Sequence, residues 1–207
     1  MIKALIFDFD GTIADTLPFA VNTAIELNRE LKLLEEDKID IEKFRGMSSE
    51  DFYKSLGISK FKLFIYTFKF LNRLNKNIEG LVTFDGLPEV LKTLKDKEII
   101  LGIVTSNTVG MVNKFIKDDQ IEYFDFIKQC RFVFGKGRKI KRIVRKLGIK
   151  NDEVIYIGDE TRDIKAARDA GVKVASVTWG YNVENVLSEA KPDYILRRPQ
   201  DILTLIG

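Results

Sequence analysis

The sequence predicts an α/β protein: an open parallel sheet of the Rossmann-like kind, with an all-helical cap inserted after its first strand. Three observations carry this reading. Apolar runs at residues 2–7, 99–104, 154–157 and 174–177 alternate with stretches of helical spacing, the pattern of a parallel sheet. The runs are nearly unbroken, as expected for strands covered on both faces. Between Thr16 and about Gly80 the spacing is helical throughout. The expected division is a core of residues 1–15 and 81–207 and a cap of residues 16–80.

The first run ends in Asp8-Phe9-Asp10-Gly11. Side chains alternate along a strand, so Asp8 and Asp10 project to the same side if the extended conformation persists. Gly11 then lets the chain turn. Two carboxylates at the end of a buried strand are costly unless a cation or a reacting group uses them. The bland reading is a polar strand end running into an Asp-Gly turn. A calcium loop fits poorly, because the glycine comes too early.

Thr16 is placed to cap a helix with Pro18 in its first turn and Leu17, Val21, Ala24, Leu27 and Leu31 along one side. A charged linker, residues 35–40, leads to Ile41–Met47. Ser48 with Asp51 three residues later matches a capping box for a helix stopping at Gly57. Phe61, Phe64 or Ile65, Phe68, Leu71 and Leu74 form a further amphipathic stripe, read as core. After Pro88 come a helix to about residue 96, a strand over 99–104 ending in Thr105-Ser106-Asn107, and a helix over 109–117. A short strand at 132–134 leads into Gly135-Lys136-Gly137 and a helix marked by Ile140, Ile143, Val144 and Leu147. The strand 154–157 ends in Gly158-Asp159-Glu160-Thr161-Arg162-Asp163, followed by a helix from about Ile164 that stops at Gly171. Strands at 174–177 and 194–196 and a terminal helix complete the chain.

Composition narrows the chemistry. Apolar residues make up 45% and charged residues 31% of 207 positions, an ordinary globular balance. No apolar run approaches the length of a membrane span, Met1 leads directly into the first strand, and Cys130 is the single cysteine. A cytoplasmic protein, monomer or dimer, with no membrane partner is the expectation. Histidine is absent, which excludes Ser-His-Asp and Cys-His catalysis and histidine-ligated zinc. The chemistry falls to carboxylates, hydroxyls, amines and backbone.

In an open α/β sheet, ligands bind at the carboxyl ends of the strands. Four such ends here carry Asp8 and Asp10, Thr105, Lys136, and Asp159 with Asp163. In that order, with a helical insertion after the first, they resemble the motifs of the haloacid-dehalogenase-like superfamily. Over essentially the whole chain the sequence is most similar to its phosphoglycolate-phosphatase-like branch. The resemblance implies that Asp8 attacks phosphorus and forms an aspartyl-phosphate, with Asp10 as general acid and then base. It implies Mg²⁺ held by the carboxylates of Asp8 and Asp159 and the backbone carbonyl of Asp10, with Asp163 supporting the site. Thr105 and Lys136 match the hydroxyl and amine that meet the phosphoryl group; Ser106, Asn107 and the cap residue Arg45 are the candidate substrate contacts. Two positions depart from the family pattern. Gly137 follows the lysine where proline is common, with Lys139 as a rival for the role, and Glu160 stands where serine is frequent. The substrate expected is a small phosphorylated metabolite, with phosphoglycolate, a sugar phosphate and a nucleotide all open.

Two other readings share these residues. A sugar-phosphate mutase would use the same set. From Phe126 to Asn151 no acidic residue occurs, but Lys128, Arg131, Lys136, Arg138, Lys139, Lys141, Arg142, Arg145, Lys146 and Lys150 do, as in an anion- or nucleic-acid-binding module. A net charge of only +3 and a buried stripe between those charges favour a solvated helix face, so nucleic acid is not expected as a partner.

Overall fold

The computed structural model describes residues 1–32, 40–48, 51, 54, 55, 57, 59–74, 80–130 and 135–207. Its centre is a parallel sheet of six strands: β1 (Ala4–Phe7), β2 (Ile100–Thr105), β3 (Phe126–Gln129), β4 (Val154–Gly158), β5 (Lys173–Val177) and β6 (Tyr194–Leu196). Their spatial order is β3-β2-β1-β4-β5-β6. The order reverses direction at β1, where Ala4 pairs with Ile100 on one side and Val154 on the other. That reversal opens a crevice at the carboxyl end of β1, where Asp8 follows.

β1 can sit at the centre because every one of its side chains is apolar and fully buried. Leu5 and Phe7 face one core layer, with α4 (Leu87–Asp96), α5 (Val109–Asp118) and the terminal 3-10 helix (Pro199–Leu205). Ala4 and Ile6 face the other, with α6 (Lys136–Leu147), α7 (Thr161–Ala170) and Leu187 of α8 (Glu184–Glu189). Burial of each large aliphatic or aromatic side chain contributes about 1.5–3 kcal/mol, so this two-sided core holds the strand ends rigidly. Gly137 has a packing role here: a Cβ on it would lie 2.7 Å from Asp169 Cβ and 2.8 Å from the Ala166 carbonyl of α7. Without a side chain there, α6 crosses α7 closely and fixes the start of the helix.

Between β1 and α4 the chain forms α1 (Leu17–Leu31), α2 (Ile41–Arg45) and α3 (Lys60–Leu74). It leaves and re-enters the core side by side, with Ala14 bridged to Thr83 and the Asp15 N–H donating to the Val82 carbonyl at 2.9 Å. Glu30 of α1 pairs with Lys69 and Arg73 of α3.

Several expectations change. The Phe stripe is not core: Phe61, Phe64 and Phe68 are 72%, 66% and 60% exposed, whereas Tyr66 is buried and stacks on Phe70. Among the described residues, the face of α3 carrying Lys69 and Arg73 meets α1 through Glu30. Thr16 precedes α1 without capping it through its side chain, because its hydroxyl bonds the Tyr181 hydroxyl at 2.9 Å. The strand expected at 132–134 lies outside the described residues; strand β3 was missed because Lys128 and Gln129 interrupt its apolar pattern. Most of the helix expected between Ser48 and Gly57 also lies outside them, although the Ser48 hydroxyl accepts the Asp51 N–H at 3.1 Å. The final helix is 3-10, and the short helix α8 went unread.

Candidate active site

Asp8, Asp159 and Asp163 meet at the crevice, all buried, with carboxylate oxygens within 4.8 Å of one another. Asp8 follows β1, Asp159 follows the adjacent β4, and Asp163 lies in the first turn of α7, so neighbouring strand ends bring them together. Lys136, the first residue of α6, reaches in from a third direction. Its Nζ donates to Asp8 Oδ2 and Asp163 Oδ1 at 2.7 Å each and lies 5.6 Å from the centre of the Tyr156 ring.

Each carboxylate is oriented by further donors. Asp8 Oδ1 accepts the Phe9 N–H at 2.8 Å. Asp159 Oδ1 accepts from the Thr12 hydroxyl at 2.8 Å and Oδ2 from the Tyr181 N–H at 2.7 Å. Asp163 Oδ2 accepts the Glu160 N–H at 3.1 Å. Gly11 permits the close approach of this loop: its φ is +68°, and a Cβ there would lie 2.2 Å from Asp159 Oδ2.

Electrostatics mark the cluster as short of positive charge. Burial pushes the Asp8 carboxyl up to about 7, against the pull of Lys136, while Asp163 adds to the rise. Burial, reinforced by Glu160, Asp163 and Asp8, drives Asp159 well above the carboxylate range. Burial alone would lower Lys136, but the Asp163 and Asp8 carboxylates hold it well above the usual lysine value. Among the described residues one ammonium stands within three buried carboxylates, and an all-oxygen donor set of this kind fits a hard divalent cation. The Glu160 that departs from the family pattern is paired with Arg162.

Asp10 also faces the crevice, with Oδ2 accepting the Asn107 side-chain amide at 2.9 Å. Burial raises its pKa and the Asn107 bond opposes the rise. Thr105 is fully buried at the end of β2, and its hydroxyl accepts the Asn107 N–H at 3.0 Å. Ser106 is half-buried beside them. The structure thus brings together Asp8, Asp10, Thr105, Asn107, Lys136, Asp159 and Asp163. Lys139 lies farther along α6, half-buried. Arg138, Lys141, Arg142, Arg145 and Lys146 form the exposed face of the same helix, opposite its buried stripe.

Arg45 is placed at the seam between the helical insertion and the core. Its Nε donates to the Tyr181 carbonyl at 3.2 Å and Nη2 to the Gly180 carbonyl at 3.3 Å, and Nη1 pairs with Glu42. Sequence reasoning placed Thr12 in the Asp8-Phe9-Asp10-Gly11-Thr12 motif without a role and missed Tyr156, Tyr181 and Asn182. Thr12 was legible beside Asp10 and Gly11, but the others lie in runs with no polar pattern pointing to the site.

A buried carboxylate–lysine cluster stands at the switch point of this parallel sheet, with three acids that could hold a cation. The family model of haloacid dehalogenase-like hydrolases matches residues 5–177, and the chain belongs to that family. It is similar to a phosphoglycolate phosphatase of Synechococcus elongatus, 30% identical over 206 residues that cover 99% of this chain and 97% of the relative. A pyrophosphatase PpaX of Bacillus cereus is 26% identical over 212 residues, covering 100% and 97%. A haloacid dehalogenase-like hydrolase of Streptococcus pneumoniae superposes with a TM-score of 0.80 at 23% identity, covering 100% of this chain and 99% of that one, a likeness of fold. Among the described residues no helix is long and apolar enough to cross a membrane.

Proposed function

We propose that this hydrolase is a Mg²⁺-dependent phosphatase that cleaves a small phosphate monoester through a phosphoryl group carried on Asp8, beneath a cap formed by residues 16–80. The observation that carries the proposal is the Lys136 ammonium bridging Asp8 and Asp163 beside Asp159, at the end of the central strand. The similarity to phosphatases over nearly the full chain supports the same chemistry.

In this reading Asp8 and Asp159, with the Asp10 backbone carbonyl, would hold Mg²⁺, and Asp163 would support them. When bound, the cation neutralises charge so that an anionic carboxylate and an anionic phosphate can approach one another. An Asp8 oxygen attacks phosphorus while the phosphorus–ester oxygen bond breaks, and Asp10 gives its proton to the leaving oxygen. Asp10, now a carboxylate, takes a proton from water as the water oxygen attacks phosphorus and the bond from phosphorus to the Asp8 oxygen breaks. Inorganic phosphate leaves, and Asp8 and the protonated Asp10 are restored. The Thr105 hydroxyl and Ser106 backbone donate to the phosphoryl oxygens, and Lys136 balances their charge. Asn107 holds Asp10 in place. Arg45 stands near the seam where a remote anionic group of the substrate would enter, but it must release core carbonyls to bind one.

A panel of phosphate esters, assayed for phosphate release with Mg²⁺ and in excess chelator, tests the proposal. Turnover that needs Mg²⁺ and is inhibited by Ca²⁺, which is larger and more variably coordinated, is expected. Full activity in chelator refutes the metal assignment, and isomerisation of a sugar phosphate without phosphate release favours the mutase.

A further inference from the structure

We propose that Asn182 is a positioning residue that ties the seating of the cap to the orientation of Asp159. The inference rests on the cap and metal reading above. Asn182 is 5% exposed and fully engaged at both ends of its side chain. Its Nδ2 donates to the carbonyls of Arg45 at 3.1 Å and Met47 at 2.8 Å, both in the helical insertion. Its Oδ1 accepts the N–H of Thr161, the first residue of α7, at 3.1 Å. Its own N–H donates to the Asp159 carbonyl at 3.3 Å, and the preceding residue, Tyr181, donates its N–H to Asp159 Oδ2.

The segment 180–183 therefore touches the cap and a metal-site carboxylate through adjacent residues. The cap grips it from its own side as well: the Arg45 guanidinium holds the carbonyls of Gly180 and Tyr181, the Arg45 carbonyl accepts the Val183 N–H at 3.3 Å, and Thr16 bonds the Tyr181 hydroxyl. A cap that lifts must break these bonds and free the backbone that orients Asp159. Hydrogen-bond partners of ligating groups set metal affinity, and binding linkage is reciprocal. A seated cap thus tightens cation binding, and a bound cation holds the cap down.

The two ends of Asn182 can be separated by substitution. Asn182→Asp keeps an acceptor for the Thr161 N–H but points carboxylate oxygens at the two cap carbonyls, whereas Asn182→Ala removes both ends. Mn²⁺ affinity is measured by electron paramagnetic resonance titration, and cap seating by limited proteolysis within residues 16–80 with and without Mn²⁺. Asn182→Asp is expected to weaken Mn²⁺ binding about 10-fold. It is also expected to abolish the metal-dependent protection expected of the wild type. Arg45→Ala added to Asn182→Asp is expected to produce little further loss, because both sever one connection. Wild-type affinity and protection in Asn182→Asp, with only Asn182→Ala impaired, overturn the coupling and leave Asn182 as a cap for α7. Fully additive losses in the double variant overturn it too. These readouts need no turnover, so failure of the phosphatase reading in the ester panel is distinguishable from failure here.

Discussion

The side-chain amide of Asn107 donates to Asp10 Oδ2 at 2.9 Å, both side chains buried, and Asp10 Oδ1 has no hydrogen-bond partner among the described residues. In the proposed reaction this oxygen would be the one to meet a substrate's leaving group or water. Asn107 thus holds the carboxylate in the structure, and its expected contact with substrate is a separate role for the kinetics below to test. Asn107→Ala leaves a buried acceptor unpaired, a loss of about 1–3 kcal/mol. A fall in kcat of about 10- to 100-fold with little change in KM is expected from steady-state kinetics. A rise in KM at unchanged kcat would return Asn107 to the substrate.

The division of labour between Asp8 and Asp10 predicts distinct chemical phenotypes. Asp8→Asn is expected to form no phosphoenzyme with any substrate. Asp10→Asn is expected to fail on alkyl phosphates, whose alkoxide leaves poorly without a proton, but still to phosphorylate Asp8 from an aryl phosphate with an acidic leaving group. The second displacement then lacks its base, so the phosphoenzyme accumulates. Intact-mass analysis after a single turnover reads this directly, and equal loss with both substrates refutes the role of Asp10.

Lys136 and Lys139 are separated by one helical turn and by very different surroundings. Lys136→Ala removes the ammonium that faces Asp8 and Asp163, and kcat/KM is expected to fall by at least about 10²-fold. Its loss also lets the Asp8 carboxyl rise further, since Lys136 is what holds it down. Lys139→Ala is expected to stay within about 2-fold of wild type. The reverse order would move the charge-balancing role to Lys139.

Glu30 provides a pH-dependent contact inside the helical insertion. Its pairing with Lys69 and Arg73 holds its carboxyl below the usual glutamate range. The sign follows from linkage: a depressed folded pKa gives stability that is present above the unfolded value, about 4.3, and lost as pH falls through the folded one. Unfolding midpoints of wild type and Glu30→Gln are expected to differ at pH 7 and to converge in acid. Because the pair is exposed, the difference is also expected to shrink in high salt. A gap that persists in acid would assign the effect of the substitution to packing.

Much of this protein is legible in its sequence because the signals are local. Unbroken apolar runs specify buried parallel strands, and the Asp8-Phe9-Asp10-Gly11 and Gly158-Asp159-Glu160-Thr161-Arg162-Asp163 segments place acids at strand ends, where buried charge needs a chemical reason. The helical insertion is equally visible as a change of period. Periodicity does not say which face of a helix finds a partner. The Phe61, Phe64 and Phe68 stripe is as apolar as a core stripe, yet among the described residues it is exposed while the opposite face of α3 meets α1.

What the sequence determined by itself was therefore the alternation of strands and helices, the site of the insertion and the acids that converge at the sheet. Only the tertiary structure decided which neutral residues hold that site together. Tyr156 and Lys136 are 20 positions apart, and Asn182 and Arg45 are 137 apart. Their contacts depend on the crossing of α6 over the sheet and on the docking of the insertion against the segment after β5. An asparagine or tyrosine in a loop has no periodic signature, and its role exists only once the fold has placed a carbonyl or carboxylate within about 3 Å of it.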